Sequence, residues 1–135
     1  MKILVMGLPG SGKTHLAERL SKHLESAWYN ADKMRAMAND WDFSQEGRQR
    51  QAMRMRTIAD FESNQGRIVI CDFVCPTDIS RTMFKADYII WMDTIKESRF
   101  EDTNKAFVEP TNADYHFKHW LSDQDIEALA CQLKK

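Results

Sequence analysis

Residues 7–14 read Gly-Leu-Pro-Gly-Ser-Gly-Lys-Thr, directly after the apolar run Ile3-Leu4-Val5-Met6. The stretch satisfies G-x-x-x-x-G-K-[ST], a spelling that has a physical mechanism when a strand precedes it and a helix follows. Gly7, Gly10 and Gly12 let the backbone turn tightly, so that successive N–H groups point at phosphate oxygens beside a helix N-terminus. Leu8, Pro9 and Ser11 complete the cradle through their backbone. Lys13 supplies a cation to the β and γ phosphates, and Thr14 offers a hydroxyl to Mg²⁺. A bound nucleoside triphosphate, ATP, is the reading, and the open matter is where its terminal phosphoryl group goes.

The periodicity beyond the loop fits the same architecture. Lys13 to Leu24 predicts a helix whose inner face carries Leu16, Ala17, Leu20 and Leu24. Ala27 to Tyr29 follows as a short strand. Ser44 is placed to cap a long helix with Ala52, Met55, Ile58 and Ala59 at helical spacing, ending near Gly66. "RIVICDF" and "ADYIIWMD" read as strands flanking a short helix that begins at Pro76, and "DYHFKHW" as a last strand before a helix from about Ser122. Strands alternating with helices call for a parallel sheet covered on both faces. The expected fold is therefore three-layer α/β/α, a P-loop NTPase fold with a central parallel sheet of about five strands.

At 135 residues, without repeats or a Pro/Gly/Ser linker, the chain reads as one domain over 1–135, with a short lid at about 95–112. A formal net charge of −1 offers no basic field for long nucleic acid. No apolar run approaches the length of a membrane span. Cys71, Cys75 and Cys131 form no CxxC pair and no zinc spacing, which suits reduced thiols and a cytoplasmic setting.

Candidate catalytic groups lie outside the loop. Asp72 and Asp93 each end a predicted strand, and either could support Mg²⁺; Asp72 is the preferred metal-side acid. Asp32, just after a strand at the crevice end of the sheet, can accept the proton of an attacking hydroxyl, unless it serves as the N-cap of "KMRAMAN". Arg35 and Arg48 can fork onto an anionic acceptor. Phe43, beside Trp41, can stack on a flat one or pack as a staple. Arg50 and Arg56 read as a solvated helical face, and His15 as an exposed helix position. In the polar stretch "ESRFEDTNKAF", Arg99 and Lys105 are lid cations that could close over the transferring phosphate, Arg99 being preferred.

The stretch Asn30-Ala31-Asp32-Lys33-Met34-Arg35, then Asp42-Phe43-Ser44, Arg48, Gln51 and Arg54, resembles adenylylsulfate kinases, whose patterns are D-G-D-N-x-R and G-F-S-x-x-x-R-x-x-N. "DFVCPTD" at 72–78 is similar to that family's F-I-S-P segment, with Cys75 where serine is usual, and the resemblance covers roughly the first 95 residues. It implies an ATP-dependent kinase that phosphorylates a hydroxyl of a small anionic, nucleotide-like acceptor, adenylylsulfate being the named one. It also implies Asp32, Arg35, Phe43, Arg48 and Gln51 as acceptor-binding residues, with Asp32 and Lys13 catalytic; Arg99 joins them as a catalytic candidate because an arginine near the lid start is common in small P-loop kinases. A homodimer is the expected assembly. The family's basic lid motif is absent, and only "IKESRFEDTNKAFVEP" precedes the last strand. At most ~3.3–3.6 Å per residue, so short a lid covers an acceptor differently. A regulatory nucleotide-binding module and a P-loop NTPase stand as alternatives. "TNKA" at 103–106 lacks the aspartate of a guanine-selecting NKxD loop.

Overall fold

The structure is a computed structural model that describes residues 1–135. Its elements are β1 (Lys2–Met6), α1 (Lys13–Leu24), β2 (Ala27–Asn30), α2 (Ala31–Ala38), α3 (Gln45–Asn64), β3 (Val69–Asp72), α4 (Asp78–Phe84), β4 (Tyr88–Met92), α5 (Glu101–Ala106), β5 (Tyr115–Phe117) and α6 (Asp123–Lys134). The five strands lie in the order β2-β3-β1-β4-β5, and every pairing is parallel. This is the expected three-layer α/β/α arrangement, and its physical basis is strand alternation.

In β1, Ile3 and Val5 point to one face and Leu4 and Met6 to the other, because successive side chains of a strand alternate. The first pair joins Ile70, Ile90 and Met92 against Leu16, Ala17 and Leu20 of α1 and Ile126, Leu129 and Leu133 of α6. The second pair joins Val69, Cys71 and Trp91 against Ala52, Met55 and Ala59 of α3 and Phe84 of α4. Each face thereby carries its own core, and β1, buried on both faces, holds the centre.

Register and connectivity place the functional end. Val5 and Asn30 both pair with Asp72, so β1, β2 and β3 finish level. The chain leaves β1 toward β2 and leaves β3 toward β4, in opposite directions from two adjacent strands. Such a switch point opens a crevice beyond the carboxyl ends of the strands. The 7–14 loop and Asp72 flank it.

Local signals hold at most helix ends. Ser44 caps α3 by accepting from Gly47 N, and Ser122 caps α6 with a capping box through Asp125. Two expectations shift. α4 starts at Asp78, because Thr77 rather than Pro76 supplies the cap, in a box with Ser80. Asp32 is not the N-cap of α2. Asn30, the last residue of β2, takes that place and accepts from Lys33 N, leaving Asp32 in the first turn. No helix is long and apolar enough to cross a membrane.

The α2–α3 connection is fastened by ions. Asp40 accepts from Arg50 Nε and Arg54 Nη2, each at 2.7 Å, and Arg50 also reaches Asp42 at 3.2 Å. Arg50 is thus a tether, not a freely solvated residue. Arg56, expected on the same exposed face, pairs with Asp60 at 3.3 Å and donates to Met83 O. Gly47 sits where the connection folds back, and a Cβ there would collide with the Asp42 carbonyl oxygen. Alanine's helix propensity returns up to ~1 kcal/mol. Collision with backbone costs about 1–3 kcal/mol and wins, because no flexible side chain can yield. Gly47→Ala is therefore expected to lower stability by about 1–2 kcal/mol, read as a lower urea midpoint at unchanged slope.

Candidate active site

The sequence Gly7–Thr14 turns between β1 and α1 through three glycines at positive φ, at 148°, 86° and 98° for Gly7, Gly10 and Gly12. Gly7 has no alternative, since a Cβ there would strike the Met92 carbonyl oxygen. Gly12 is the N-cap of α1, and no side chain satisfies the first amides of that helix. A helix start without a side-chain cap, behind a glycine turn, is an anion cradle. Thr94 Oγ1 braces the loop by donating to Ser11 O at 2.8 Å.

Lys13 is buried and donates from Nζ to Leu8 O at 3.0 Å. Burial lowers its pKa from 10.5 to about 8, against the opposing pull of Asp72 and Asp32. An ammonium held in this way is poised for an anion that would restore its ordinary basicity.

Asp72, at the end of β3, is 2% exposed. Trp28 Nε1 donates to its Oδ2 at 2.6 Å, and Thr14 Oγ1 donates to its Oδ1 at 3.3 Å. Asn30 Nδ2 spans both oxygens at 3.1 and 3.3 Å and also reaches Thr14 Oγ1 at 3.2 Å. Burial pushes the Asp72 pKa up, while Trp28, Lys13, Asn30 and Thr14 all pull it down. The hydroxyl of Thr14 and the carboxylate of Asp72 are hard oxygen donors of the kind Mg²⁺ prefers. No group of three or more His, Cys, Asp or Glu converges anywhere in the chain.

Asp93 is engaged elsewhere. Its Oδ2 lies 2.9 Å from His116 Nε2 and 3.5 Å from Lys96 Nζ. His116 in turn stacks on Trp91 with ring centroids 4.0 Å apart. Asp93 does not line the cavity described next, which separates it from Asp72.

A cavity of about 1400 Å³ opens over the switch point. Lys13, Thr14, Asp32, Arg35, Phe43, Arg48, Gln51, Asp72 and Arg99 all line it, with Pro9, Gly10 and Gly12 of the loop, whereas Gly7, Leu8 and Ser11 do not border it. Lys105 does not border it. Their engagements differ. Arg35 Nη1 donates to Asp40 O at 2.9 Å and Asp42 O at 3.2 Å, and its guanidinium lies 4.4 Å from the Phe43 ring centroid. Gln51 Nε2 donates to Ala31 O at 3.0 Å, behind Asp32. Arg48 donates from Nε to Phe43 O at 2.8 Å and from Nη2 to Thr103 Oγ1 at 3.3 Å, linking α3 to α5. Phe43 is 53% exposed at the wall, so it is no core residue. Asp32 is exposed at the mouth.

Four contributors escaped the sequence reading: Trp28, Asn30, Thr103 and Trp120. Trp120 is half-exposed between β5 and α6, would lie 3.0 Å from a Cβ at Gly12, and meets His15 edge-on at 4.9 Å. His15 is accordingly a partner of that indole. The expected last strand ran through Trp120, whereas β5 stops at Phe117 and leaves the indole in the connection to α6.

The sequence model of the adenylylsulphate kinase family matches residues 1–114. A probable adenylyl-sulfate kinase of Aeropyrum pernix is 35% identical over 92 residues, covering 62% of this chain and 49% of that relative. The chain thus aligns with about half the length of that curated relative. The APS kinase of Mycobacterium tuberculosis in complex with AMPPNP and APS superposes with a TM-score of 0.78 at 19% identity, over 98% of this chain and 94% of that one. The shikimate kinase of Aquifex aeolicus superposes with a TM-score of 0.68 at 17% identity, over 99% and 96% of the two chains. At those identities the superpositions speak to fold.

The Lys13 environment has a measurable consequence. Its folded pKa lies below its unfolded value, so the ligand-free chain gains stability as pH rises from about 8 toward 10.5. Phosphate binding should raise that pKa again. Nucleotide binding is expected to take up a fraction of a proton near pH 8.5 and close to none near pH 7, with affinity falling above pH 8. Calorimetry in buffers of different ionisation enthalpy measures the uptake.

Proposed function

Because this chain belongs to the adenylylsulphate kinase family, we propose that it is an ATP-dependent kinase, moving the γ-phosphoryl group to a hydroxyl of a small, nucleotide-like acceptor. Adenylylsulfate is the first acceptor to test. The observation that carries the reading is one cavity lined by both the Lys13 ammonium and the Asp32 carboxylate, at the carboxyl ends of the strands.

The triphosphate occupies the amides of the 7–14 loop and the start of α1, with Lys13 neutralising its outer phosphates. Trp120, against Gly12 and His15, forms an apolar wall on the nucleotide side. Thr14 and Asp72 are the residues that would hold Mg²⁺, which would screen the phosphate charges. On the other side Phe43 offers its exposed face for stacking, while Arg35 and Arg48 frame that ring. Asp32 orients the acceptor hydroxyl and takes its proton as the oxygen attacks phosphorus. The 95–112 segment acts as the lid of a single catalytic domain. Arg99 brings a charge that stabilises the equatorial oxygens as water is excluded.

Purified protein with Mg-ATP and adenylylsulfate should yield a phosphorylated acceptor, read by mass spectrometry. Asp32→Asn is expected to lower turnover by about 10²–10⁴-fold with AMPPNP affinity unchanged. Slow ATP consumption that is identical with every acceptor offered would instead mark a nucleotide-binding module. Arg99→Ala is expected to reduce kcat more than nucleotide affinity, and unchanged turnover removes Arg99 from the mechanism.

A further inference from the structure

We propose that Trp28 is a positioning residue for the metal side of the site: its indole N–H fixes Asp72 so that Oδ1 faces Thr14 and the nucleotide phosphates. This inference rests on the assignment of Asp72 and Thr14 to Mg²⁺ made above.

The geometry divides the carboxylate into two unlike ends. Oδ2 receives the indole N–H at 2.6 Å, the shorter of the contacts at that carboxylate. Oδ1 receives the Thr14 hydroxyl at 3.3 Å. The Asn30 amide lies across both oxygens and also touches Thr14 Oγ1. An indole nitrogen is a donor only, so it cannot compete for a cation, and it offers no second orientation to the acid. A contact to an ionised acceptor is charge-assisted and about twice as strong as a neutral one. Held at Oδ2, the carboxylate keeps Oδ1 toward Thr14. The Thr14 hydroxyl gives its proton to Oδ1 and accepts from Asn30 Nδ2, which leaves one lone pair for a cation.

The placement of Trp28 is a product of the sheet. It lies in β2, two residues before Asn30, and side chains two apart project from one face of a strand. Asn30 is in register with Asp72 across the β2–β3 ladder, so both donors converge on the acid from the same strand. Outside the cavity, Lys33 Nζ sits 5.5 Å from the Trp28 ring centroid and lies against its face. Trp28 itself does not line the cavity, whereas Thr14, Asn30 and Asp72 do. Its action on ligand therefore runs through Asp72. Partners of this kind, which orient a metal ligand from behind, typically contribute 10–100-fold in metal affinity.

Calorimetric titration of AMPPNP, with Mg²⁺ and in EDTA, reads the effect without an acceptor. The quantity is the gain in AMPPNP affinity that Mg²⁺ confers. Asp72→Asn should abolish that gain; if it does not, the assignment of Asp72 to the metal fails. With that established, W28F, which keeps an aromatic ring and loses the N–H, should cut the gain by about 10-fold or more. Binding in EDTA should stay within about two-fold, and W28Q, which returns an N–H donor, should recover part of the loss. If the gain survives W28F while D72N removes it, Trp28 has only a packing role and the inference is overturned. Should W28F weaken EDTA binding as well, W28Q decides, retention of the gain supporting the inference and its loss overturning it.

Discussion

A carboxylate sealed at the end of a central strand is costly unless every lone pair finds a partner, and this requirement organises the functional end of the fold. Asp72 is met by three donor side chains from two separate segments: Trp28 and Asn30 of β2, and Thr14 of α1. Lys13 adds a cation nearby. To satisfy this one side chain, β2 must lie beside β3 in a single register, and α1 must start where the glycine loop releases it. The same condition that makes the acid tolerable therefore aligns the phosphate cradle with the strand ends.

The acceptor side is built on a different logic. Arginines dominate it, and four of them, Arg35, Arg48, Arg50 and Arg54, direct part of their N–H groups at the protein. Arg35 holds the carbonyls of Asp40 and Asp42, Arg50 and Arg54 converge on Asp40, and Arg48 holds Phe43 O. These pairs draw the Asp40 carboxyl well below the usual carboxylate range, with Arg50 the leading cause and Arg54 next. A connection of six residues without regular structure is thereby kept in one shape, and the Phe43 ring stands out from it as a rigid surface. A preorganised wall loses less freedom when a ligand settles on it.

What could be read from the sequence was what depends on neighbours in the chain. The glycine loop, the apolar run of β1, and the serines that cap α3 and α6 are all set by residues within about a turn of one another. The contacts that stayed hidden join distant segments. Trp28 and Asp72 are 44 residues apart, and Arg48 and Thr103 are 55 apart. The sequence placed Arg50 and Arg56 on a solvated face, because local spacing cannot register Asp40 in the preceding loop or the Met83 carbonyl on α4. Asp32 looked like a cap because acids favour that place. Asn30 displaced it, since β2 passes into α2 without an intervening turn. The 95–112 stretch shows no apolar period, and its short helix α5 is held by side chains from outside it.

That last arrangement bears on how the two walls of the cavity are joined. Arg48 spans from the Phe43 carbonyl to the Thr103 hydroxyl, so one planar guanidinium acts as a strut between them. At the far end, Val108 N donates to Pro76 O at 2.7 Å and Arg81 grips the Val108 carbonyl. Arg99 lies between Thr94, whose hydroxyl is bound to Ser11 O, and Thr103, so the stretch that carries its guanidinium is tied to the phosphate loop on one side and to α3 on the other.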